Sequence, residues 1–241
     1  MSHIRVHTSQ LLESGTEIEL DPGPARHLVQ VLRQRAGQQV AVFNGDGSEY
    51  QAEILAARRP DHCRLRLGRQ HRPQTESPLE ITLIQAIGRG ERMDWAIQKS
   101  VELGVTAIRP VFTERTQVRL DARRAASRLA HWQQVAIAAC EQSGRTRIPE
   151  IAEPMPLVDL PPCPGTGLSL DPEASTGLSA VAKDRDYCLA VGPEGGLTEP
   201  ECRWLAERGF QAVRAGPRIL RTETAGVAVL AALQALFGDW R

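Results

Sequence analysis

Residues 187–201 read Tyr-Cys-Leu-Ala-Val-Gly-Pro-Glu-Gly-Gly-Leu-Thr-Glu-Pro-Glu, and this stretch decides the fold class. The apolar run Tyr187–Val191 predicts a buried strand. Gly192–Gly195 suits a type I turn, with proline at its second position and glycine at its fourth. Thr198 and Glu201 form a capping box, so a helix begins there. A strand, a glycine-rich turn and a helix start in succession are typical of the edge at which α/β sheets bind ligands.

A second bend follows in residues 215–225, which read Ala-Gly-Pro-Arg-Ile-Leu-Arg-Thr-Glu-Thr-Ala. One capping threonine, Thr222 or Thr224, is enough to begin a helix. Here Arg218 and Arg221 also stand where the free N–H groups of a helix start favour negative charge. This density of donors indicates a site for an anion or an electron-rich ring. A capped helix with solvated arginines is the alternative interpretation.

The carboxy-terminal two thirds of the chain alternate between strand and helix patterns. Further strands are predicted at Leu79–Ala86, Ala107–Phe112, Gly167–Leu170 and Gln211–Arg214, and helices at Glu91–Leu103, Asp121–Gln142 and Ala225–Phe237. Such alternation predicts a parallel sheet covered by helices. Residues 88–93 begin like a dinucleotide fingerprint, but Met93 replaces its third glycine, which excludes that site. Leu168–Glu173 ends a strand and is a candidate third ligand loop.

The amino-terminal part has a different pattern, with short strands predicted at Ile4–Thr8, Gln38–Asn44, Glu49–Ala56 and Cys63–Leu67. A helix at Ala25–Arg33 interrupts them, and Asn44–Gly47 makes a hairpin turn. The pattern predicts a small β-barrel-like domain. Pro73–Pro78, polar with a proline at each end, is the best linker. We therefore expect two domains, residues 1–73 and 79–241.

Composition restricts the classes of function. The chain has 241 residues, 41% of them apolar, which is enough for a small and a larger core. No run approaches the length of a membrane span, and the first residues form no secretory signal. The five cysteines are widely spaced and include no C-x-x-C pair, so neither a disulfide framework nor a metal site is expected. A reduced, cytoplasmic location is expected instead. His3 and His7 have a metal-like spacing but no nearby acids or cysteines, which favours a surface role.

The formal net charge is zero, yet arginines cluster locally. One cluster lies at Arg58, Arg59, Arg64, Arg66, Arg69 and Arg72, and a second at Arg115, Arg119, Arg123, Arg124 and Arg128. Local patches bind phosphates whatever the total charge. These clusters are therefore compatible with an RNA partner. Codon composition alone could also explain why arginine greatly outnumbers lysine.

Seven motifs point to one family. They are His-Leu-Val-Gln-Val-Leu-Arg (27–33), Phe-Asn-Gly-Asp-Gly (43–47), Gln-Lys-Ser-Val-Glu-Leu-Gly (98–104), Thr-Glu-Arg (113–115), Ala-Cys-Glu-Gln-Ser-Gly-Arg (139–145), Gly-Pro-Glu-Gly-Gly (192–196) and Gly-Pro-Arg-Ile-Leu-Arg-Thr-Glu-Thr-Ala (216–225). With them the chain resembles, over nearly its whole length, the RsmE family: bacterial small-subunit rRNA uridine-N3 methyltransferases of the SPOUT superfamily. Leu197 and Ala215 depart from the pattern, where phenylalanine and leucine are expected, and this affects the detailed cofactor contacts.

The resemblance implies an α/β fold in which a carboxy-terminal SPOUT domain has a parallel sheet and a deep trefoil knot, after a small amino-terminal PUA-like β-barrel domain that binds RNA. It implies S-adenosylmethionine as cofactor, a homodimer formed across the apolar last helix, and no metal. The implied reaction is methylation of N3 of a uridine, U1498, in the 16S rRNA of the small ribosomal subunit. A knotted tRNA methyltransferase and a noncatalytic RNA-binding ribosome assembly factor are the alternatives.

The chemistry of the target atom suggests roles for three residues. Uracil N3 holds its proton at neutral pH and lies on the pairing edge, so the base must be unpaired and must lose that proton. Arg221, at a helix start, is the candidate that stabilises the resulting anion. Glu194 and Glu223 are candidate proton acceptors, or else structural partners of an arginine. Positioning and anion stabilisation without a strong base is the preferred interpretation.

The resemblance also implies binding residues. Those expected to hold the cofactor are Leu170, Val191, Gly192, Pro193, Glu194, Gly195, Gly196, Ala215, Gly216, Ile219, Leu220, Arg221, Thr222 and Thr224. Those expected to contact RNA are Arg26, His27, Arg33, Arg64, Arg66, Lys99, Arg115 and Arg145. Leu170 and Ile219 are expected to cover the adenine. For Glu102 and Glu141, an ion pair on a helix face is favoured.

Overall fold

The computed structural model describes residues 4–59, 61–118 and 120–240, with Arg58 described by its backbone only. Contacts between residues divide the chain into two units. One consists of the chain up to Glu76 together with Cys140–Ile148, and the other of Ser77–Ala139 and the chain from Pro149 onward. The division near Glu76 falls inside the expected linker, whereas Cys140–Ile148 comes from the middle of the expected larger domain.

The first unit is built on a mixed sheet. Its strands are β1 (Arg5–His7), β2 (Glu17–Glu19), β3 (Gln39–Phe43), β4 (Glu49–Arg59) and β5 (His62–His71). The strand order is β1-β3-β4-β5-β2, with β1 parallel to β3 and the other pairs antiparallel. Along β5, Cys63, Leu65 and Leu67 alternate with exposed residues, so one face of the strand lies in the core. The predicted turn between β3 and β4 is confirmed.

Two elements of this unit differ from the prediction. Strand β2 was missed because Ile18 is its one apolar residue, too little for an alternation to be detected. The predicted helix at Ala25–Arg33 is instead the short helix α1 (Pro22–Arg26), which continues as a π-helical turn over His27–Val31. Arg33 then takes a left-handed backbone conformation with φ of 54°, and helical geometry ends before it.

The second unit is built on a parallel sheet. Its strands are β6 (Glu80–Ala86), β7 (Ala107–Phe112), β8 (Glu150–Ile151), β9 (Met155–Pro156), β10 (Thr166–Leu170), β11 (Asp186–Val191) and β12 (Phe210–Val213). The order is β12-β10-β11-β6-β7-β8, with β9 also beside β7. Every strand pair formed by described residues of this sheet is parallel, as predicted. Strands β8 and β9 have two residues each, too few for a periodic signal.

Helices surround this sheet. They are α2 (Glu91–Glu102), α3 (Ala122–Ser143), whose last residues belong to the first unit, α4 (Glu199–Glu207) and α5 (Thr222–Phe237). Helix α5 packs on α2 and on β6 and β11. Gly226 allows that approach, because a Cβ there would lie 3.3 Å from side-chain carbons of Leu83 and Val191. Within the described residues, no helix combines the length and apolarity that a bilayer span requires.

The parallel arrangement places the carboxyl ends of the strands at one edge of the sheet. Val191, the last residue of β11, is in register with Gln85 on β6, and Leu170, the last of β10, with Val213 on β12. The two glycine-containing bends leave the sheet from this edge, which is where open α/β sheets bind ligands.

Candidate active site

The first bend follows β11 and differs by one residue from the prediction. Its hydrogen bond runs from the Gly196 N–H to the Pro193 carbonyl (2.9 Å), so the turn begins at Pro193 rather than Gly192. Gly196 follows with φ of 72°, a conformation that favours glycine. The predicted capping box is present: the Glu201 carboxylate accepts a hydrogen bond from the Thr198 N–H (2.8 Å) and begins α4.

The second bend, residues 215–221, leads from β12 into α5. The helix begins at Thr222, three residues before the predicted start, with Arg221 as the residue before it. Neither threonine caps the helix through its side chain, so the alternative interpretation of a threonine-capped helix is not observed. Gly216 has φ of 85°, and Ile219 is 84% exposed, which leaves a large aliphatic surface open at the sheet edge.

A chain of hydrogen bonds joins the two bends. The Thr222 hydroxyl donates to the Gly192 carbonyl (2.5 Å), and it accepts from the Gln85 side-chain amide (3.1 Å). The Gly192 carbonyl is engaged by Thr222 and does not close the first turn. The Thr222 hydroxyl is engaged by Gly192 and Gln85 and does not cap α5. Sequence reasoning did not identify Gln85, because a single glutamine at a strand end carries no pattern.

A small polar cleft lies beside this junction, lined by Gln85, Ala86, Gly88, Arg92, Met93, Ala96, Thr222 and Glu223. Two buried acceptors in it, Gln85 Oε1 and Glu223 Oε2, have no hydrogen-bond partner in the structure, and Gln85 is only 2% exposed. Buried polar atoms are rarely left unpaired. These two atoms are therefore available to a group that donates hydrogen bonds or carries positive charge.

Arg92 connects the two candidate proton acceptors. Its Nη1 donates to Glu194 Oε1 (2.5 Å), and its Nε lies 4.0 Å from Glu223 Oε1. Both carboxylates are therefore partners of an arginine, one of the two interpretations that the sequence left open. Arg92 itself was not predicted; its one signal is its place in the first turn of α2, directly after the Gly88–Gly90 loop.

Arg221 lies directly before α5 and is exposed. Among the described residues, no carboxylate pairs with its side chain. Since Glu194 and Glu223 are both engaged by Arg92, the Arg221 guanidinium is available to an anion from outside the protein. Thr224, one turn into the helix, is half-buried.

The Thr113–Arg115 motif supports the first bend from β7. The Arg115 guanidinium donates to the Gly195 carbonyl (2.7 Å), and the Glu114 N–H donates to Glu201 Oε1 (2.8 Å). Arg115, expected to contact RNA, thus fixes the backbone of Gly195.

The expected third loop also reaches this edge. Leu170 is half-buried, and after it the Asp171 N–H donates to the Val213 carbonyl (3.0 Å). The Arg214 N–H in turn donates to the Thr176 carbonyl (2.8 Å). Residues 171–176 therefore lie along the end of β12, where the second bend begins; there Ala215 and Leu220 are half-buried.

The residues expected to contact RNA lie in different surroundings. Arg26 and Arg33 are exposed and His27 is half-buried, all at the α1 region. Three others are paired with acids: Arg66 lies 3.1 Å and Arg64 3.9 Å from Glu17, and Lys99 lies 2.8 Å from Glu102. The ion pair expected for Glu102 is present.

Two residues of the 139–145 motif are structural. Arg145 is 3% exposed and forms an ion pair with Glu76 (2.8 Å), so its guanidinium is not presented to solvent. Within the described part of the chain, Glu141 makes no ion pair on the helix face, contrary to expectation. It accepts a hydrogen bond from the His7 backbone N–H (2.9 Å), and burial raises its pKa.

Some expectations concern residues outside the described part of the chain: His3, Arg119 and the side chain of Arg58. Among the described residues, no group of histidines, cysteines and acids is arranged to hold a metal ion.

Comparison with known proteins identifies the class of fold and site. Residues 75–234 match the sequence model of a family described as an RNA methyltransferase domain, and residues 21–68 match one described as an RNA methyltransferase PUA domain. A parallel α/β sheet after a PUA domain is therefore the architecture of an RNA methyltransferase, which confirms the predicted α/β fold with an amino-terminal PUA-like domain.

Curated relatives are similar over the whole chain. Ribosomal RNA small subunit methyltransferase E of Buchnera aphidicola (subsp. Schizaphis graminum) is 33% identical over 98% of this chain and 97% of its own length. The protein of the same name from Bacillus subtilis is 28% identical, over 94% and 93%. The chain belongs to the RsmE family of RNA methyltransferases.

Two similar solved structures contain a cofactor. Ribosomal RNA small subunit methyltransferase E from Neisseria gonorrhoeae, bound to S-adenosylmethionine, is 40% identical with a TM-score of 0.92, covering 99% of this chain and 100% of its own. A methyltransferase from Legionella pneumophila, in complex with the same cofactor, is 38% identical with a TM-score of 0.95 and the same coverage.

Proposed function

We propose that this protein transfers a methyl group from S-adenosylmethionine to N3 of a uridine, U1498, in the 16S rRNA of the small ribosomal subunit. The observation that carries the proposal is the Thr222–Gly192 hydrogen bond, which unites the two bends at the ligand edge of the sheet. Family membership and the cofactor bound by similar structures support it.

The residues at this edge fit S-adenosylmethionine, which supplies an activated methyl group on a cationic sulfur when bound. Backbone groups of Gly192–Gly196 and Ala215–Leu220 would bind it, beside Val191 and Thr224. The open face of Ile219 and the side chain of Leu170 would cover the adenine. Glu223 would contribute negative charge near the positive sulfonium.

Arg221 and Glu223 would then act on the uracil ring. A deprotonated uracil spreads its charge over two carbonyl oxygens, and a guanidinium free of acidic partners stabilises such an anion. Glu223 Oε2, the acceptor left unpaired by Arg92, would orient the N3 proton and receive it. Glu194 would mainly position Arg92, since its carboxylate is held at 2.5 Å.

RNA binding is proposed for both expected domains. Residues 1–73 would present Arg26, His27 and Arg33 as a PUA-like RNA-binding surface. Residues 79–241 would form the SPOUT methyltransferase domain, with its trefoil knot and with Lys99 and Arg115 near the substrate. Arg64 and Arg66 would contribute to RNA binding only if an RNA phosphate replaced Glu17 as their ion-pair partner.

We also propose a homodimer located in the cytoplasm. Trp95 on α2 and Trp240 after α5 are both substantially exposed, and helix α5 is apolar on most of its surface. A second copy covering these residues would remove that apolar area from water. Light scattering at several protein concentrations tests the dimer, with Trp240→Ser expected to shift it toward monomer.

Arg221→Ala tests the reaction. We expect cofactor affinity, measured by calorimetry, to stay within about threefold, while methyl transfer to small subunits that lack the modification falls by about two orders of magnitude. Arg203→Ala, an exposed arginine on α4 paired with Glu199, is the matched control and should transfer at the wild-type rate. An Arg221→Ala protein that transfers at the wild-type rate would show this assignment to be wrong.

The methylated product identifies which atom of which nucleotide receives the methyl group. N3-methyluridine blocks the pairing edge, so reverse transcription should stop at that nucleotide, and mass spectrometry of the nucleosides should show the N3 isomer. A methylated ribose in tRNA would instead support the knotted tRNA methyltransferase. rRNA binding without cofactor binding or methyl transfer would support a noncatalytic assembly factor.

A further inference from the structure

Cys163 and Cys188 form a thiol pair that the proposed methyl transfer does not use. Cys188 is buried in β11, and Cys163 is half-buried in the loop that precedes β10. Cys163 packs against the apolar cluster that contains Cys188, and the Cys188 thiol donates to the carbonyl oxygen of Pro164 (3.5 Å), the residue next to Cys163. Both belong to the same unit of the protein.

A positive charge lies at the Cys163 sulfur. Arg109 on β7 places its Nη1 3.4 Å from Cys163 Sγ. A thiolate is stabilised by an adjacent guanidinium that donates to its sulfur, and Arg109 does both at Cys163. The neighbouring Cys188 thiol and Arg109 lower the pKa of Cys163 to about 7, whereas the neighbouring Cys163 thiol and burial raise the pKa of Cys188.

The other cysteines lack this environment. Burial raises the pKa of Cys63 to about 11 and that of Cys140 to about 12. Cys202 is exposed, yet partial burial of its thiol and neighbouring acids raise its pKa as well. Thiolate character is therefore concentrated at Cys163, although Cys202 is more accessible.

We propose that Cys163 is a peroxide-reactive modification site and that Cys188 is its resolving partner. The Cys163 thiolate attacks a peroxide oxygen, the O–O bond breaks, and hydroxide leaves as the sulfur is oxidised to a sulfenic acid. The Cys188 sulfur then attacks that sulfur, so that an S–S bond forms and the S–O bond breaks. The leaving hydroxide takes the Cys188 proton, and overall two thiols and one hydrogen peroxide yield one disulfide and two waters.

Limiting alkylation of the intact protein tests the thiolate. Brief treatment with iodoacetamide at pH 7, followed by peptide mass spectrometry, should label Cys163 at least about tenfold faster than Cys202, because the thiolate rather than the thiol is the nucleophile. The Cys163 rate should level off at a lower pH than the Cys202 rate. Arg109→Met removes the charge and should slow Cys163 labelling, leaving Cys202 unchanged. Faster labelling of Cys202 would overturn the proposal.

Hydrogen peroxide tests the resolving step. Without reductant, the wild-type protein should lose the mass of two hydrogen atoms and yield a peptide that joins Cys163 to Cys188, and a thiol reductant should reverse both changes. In Cys188→Ser, dimedone should trap a sulfenic acid at Cys163, and Cys202→Ser should behave as wild type. A different disulfide, or none while Cys163 stays reduced, would contradict the proposal.

If Cys188→Ser does not fold, the wild-type peptide map and Arg109→Met decide the outcome. All readouts are masses of the protein, so they are independent of the proposed methyl transfer.

Discussion

The Thr222 hydroxyl donates a 2.5 Å hydrogen bond to the carbonyl oxygen of Gly192, thirty residues earlier in the chain. Gln85 completes the arrangement by donating to the same hydroxyl from the neighbouring strand. The start of α5, the end of β11 and the end of β6 are therefore held together by one buried side chain. In this position Thr222 orders the pocket rather than capping its helix.

Thr222→Val keeps the shape of the side chain but removes its hydroxyl. The Gly192 carbonyl would then lose this donor, and the Gln85 amide would keep only its hydrogen bond to the Ala86 carbonyl, at a cost of about 1–3 kcal/mol. We expect a lower melting temperature and weaker binding of S-adenosylmethionine, both measured on the purified protein. Thr222→Ser keeps the donor and should restore most of both; equal losses in the two variants would contradict this role.

Arg92→Met leaves Glu194 and Glu223 without their common counter-ion. Because their mutual repulsion would displace Glu223 from the cleft, we expect methyl transfer to fall by about tenfold or more, equivalent to at least about 1.4 kcal/mol. Separate measurement of kcat and KM under steady-state conditions reports where the loss occurs. Arg92→Lys retains the charge and should lose less. Activity unchanged by Arg92→Met would show that the two carboxylates need no positioning.

Gly226→Ala places a methyl group 3.3 Å from Leu83 and Val191. The better helix propensity of alanine contributes about 1 kcal/mol, whereas overpacking a rigid core costs about 1–3 kcal/mol. We expect net destabilisation in a thermal melt. Gly23→Ala is the matched control, because Gly23 also lies in a helix but a Cβ there meets nothing within 4 Å. A Gly226→Ala protein more stable than wild type would show that the contact is loose.

Arg145→Met tests whether the buried arginine is structural. Breaking its pair with Glu76 leaves a carboxylate poorly compensated, at a cost of about 3–5 kcal/mol. Chemical denaturation should show this loss. Because Arg145 is buried, the salt dependence of RNA binding by the folded variant should match that of wild type. A lower salt slope with unchanged stability would instead indicate a phosphate contact.

Glu141→Gln tests the buried carboxyl that accepts the His7 N–H. Burial raises the folded-state pKa of Glu141, so the group contributes stability below its unfolded pKa and loses it as the pH rises through the folded value. Glutamine keeps an acceptor without the charge. The variant should therefore gain stability relative to wild type as the pH increases from 4 to 8, as measured by melting temperature. A melting-temperature difference, taken as variant minus wild type, that falls with increasing pH would contradict this sign.

The sequence predicted the elements of the second unit well because their signals are local. Ala107–Phe112 was predicted with its observed bounds, and the capping box at Thr198 begins α4 as expected. Two predicted boundaries were wrong where a residue's partner is distant in the chain: the turn begins at Pro193 and α5 begins at Thr222, where Gly192 and Thr222 bond to each other.

The sequence by itself determined the alternation of strands and helices, the parallel sheet and the two glycine-containing bends, since periodicity and turn chemistry act between near neighbours. Only the tertiary structure decided which partners the polar side chains take. Arg92 engages both carboxylates, Arg145 is buried against Glu76, and Cys163 meets Cys188 and Arg109. These contacts join residues 25 to 131 positions apart, and no local pattern specifies them because each depends on how the strands are ordered in the sheet.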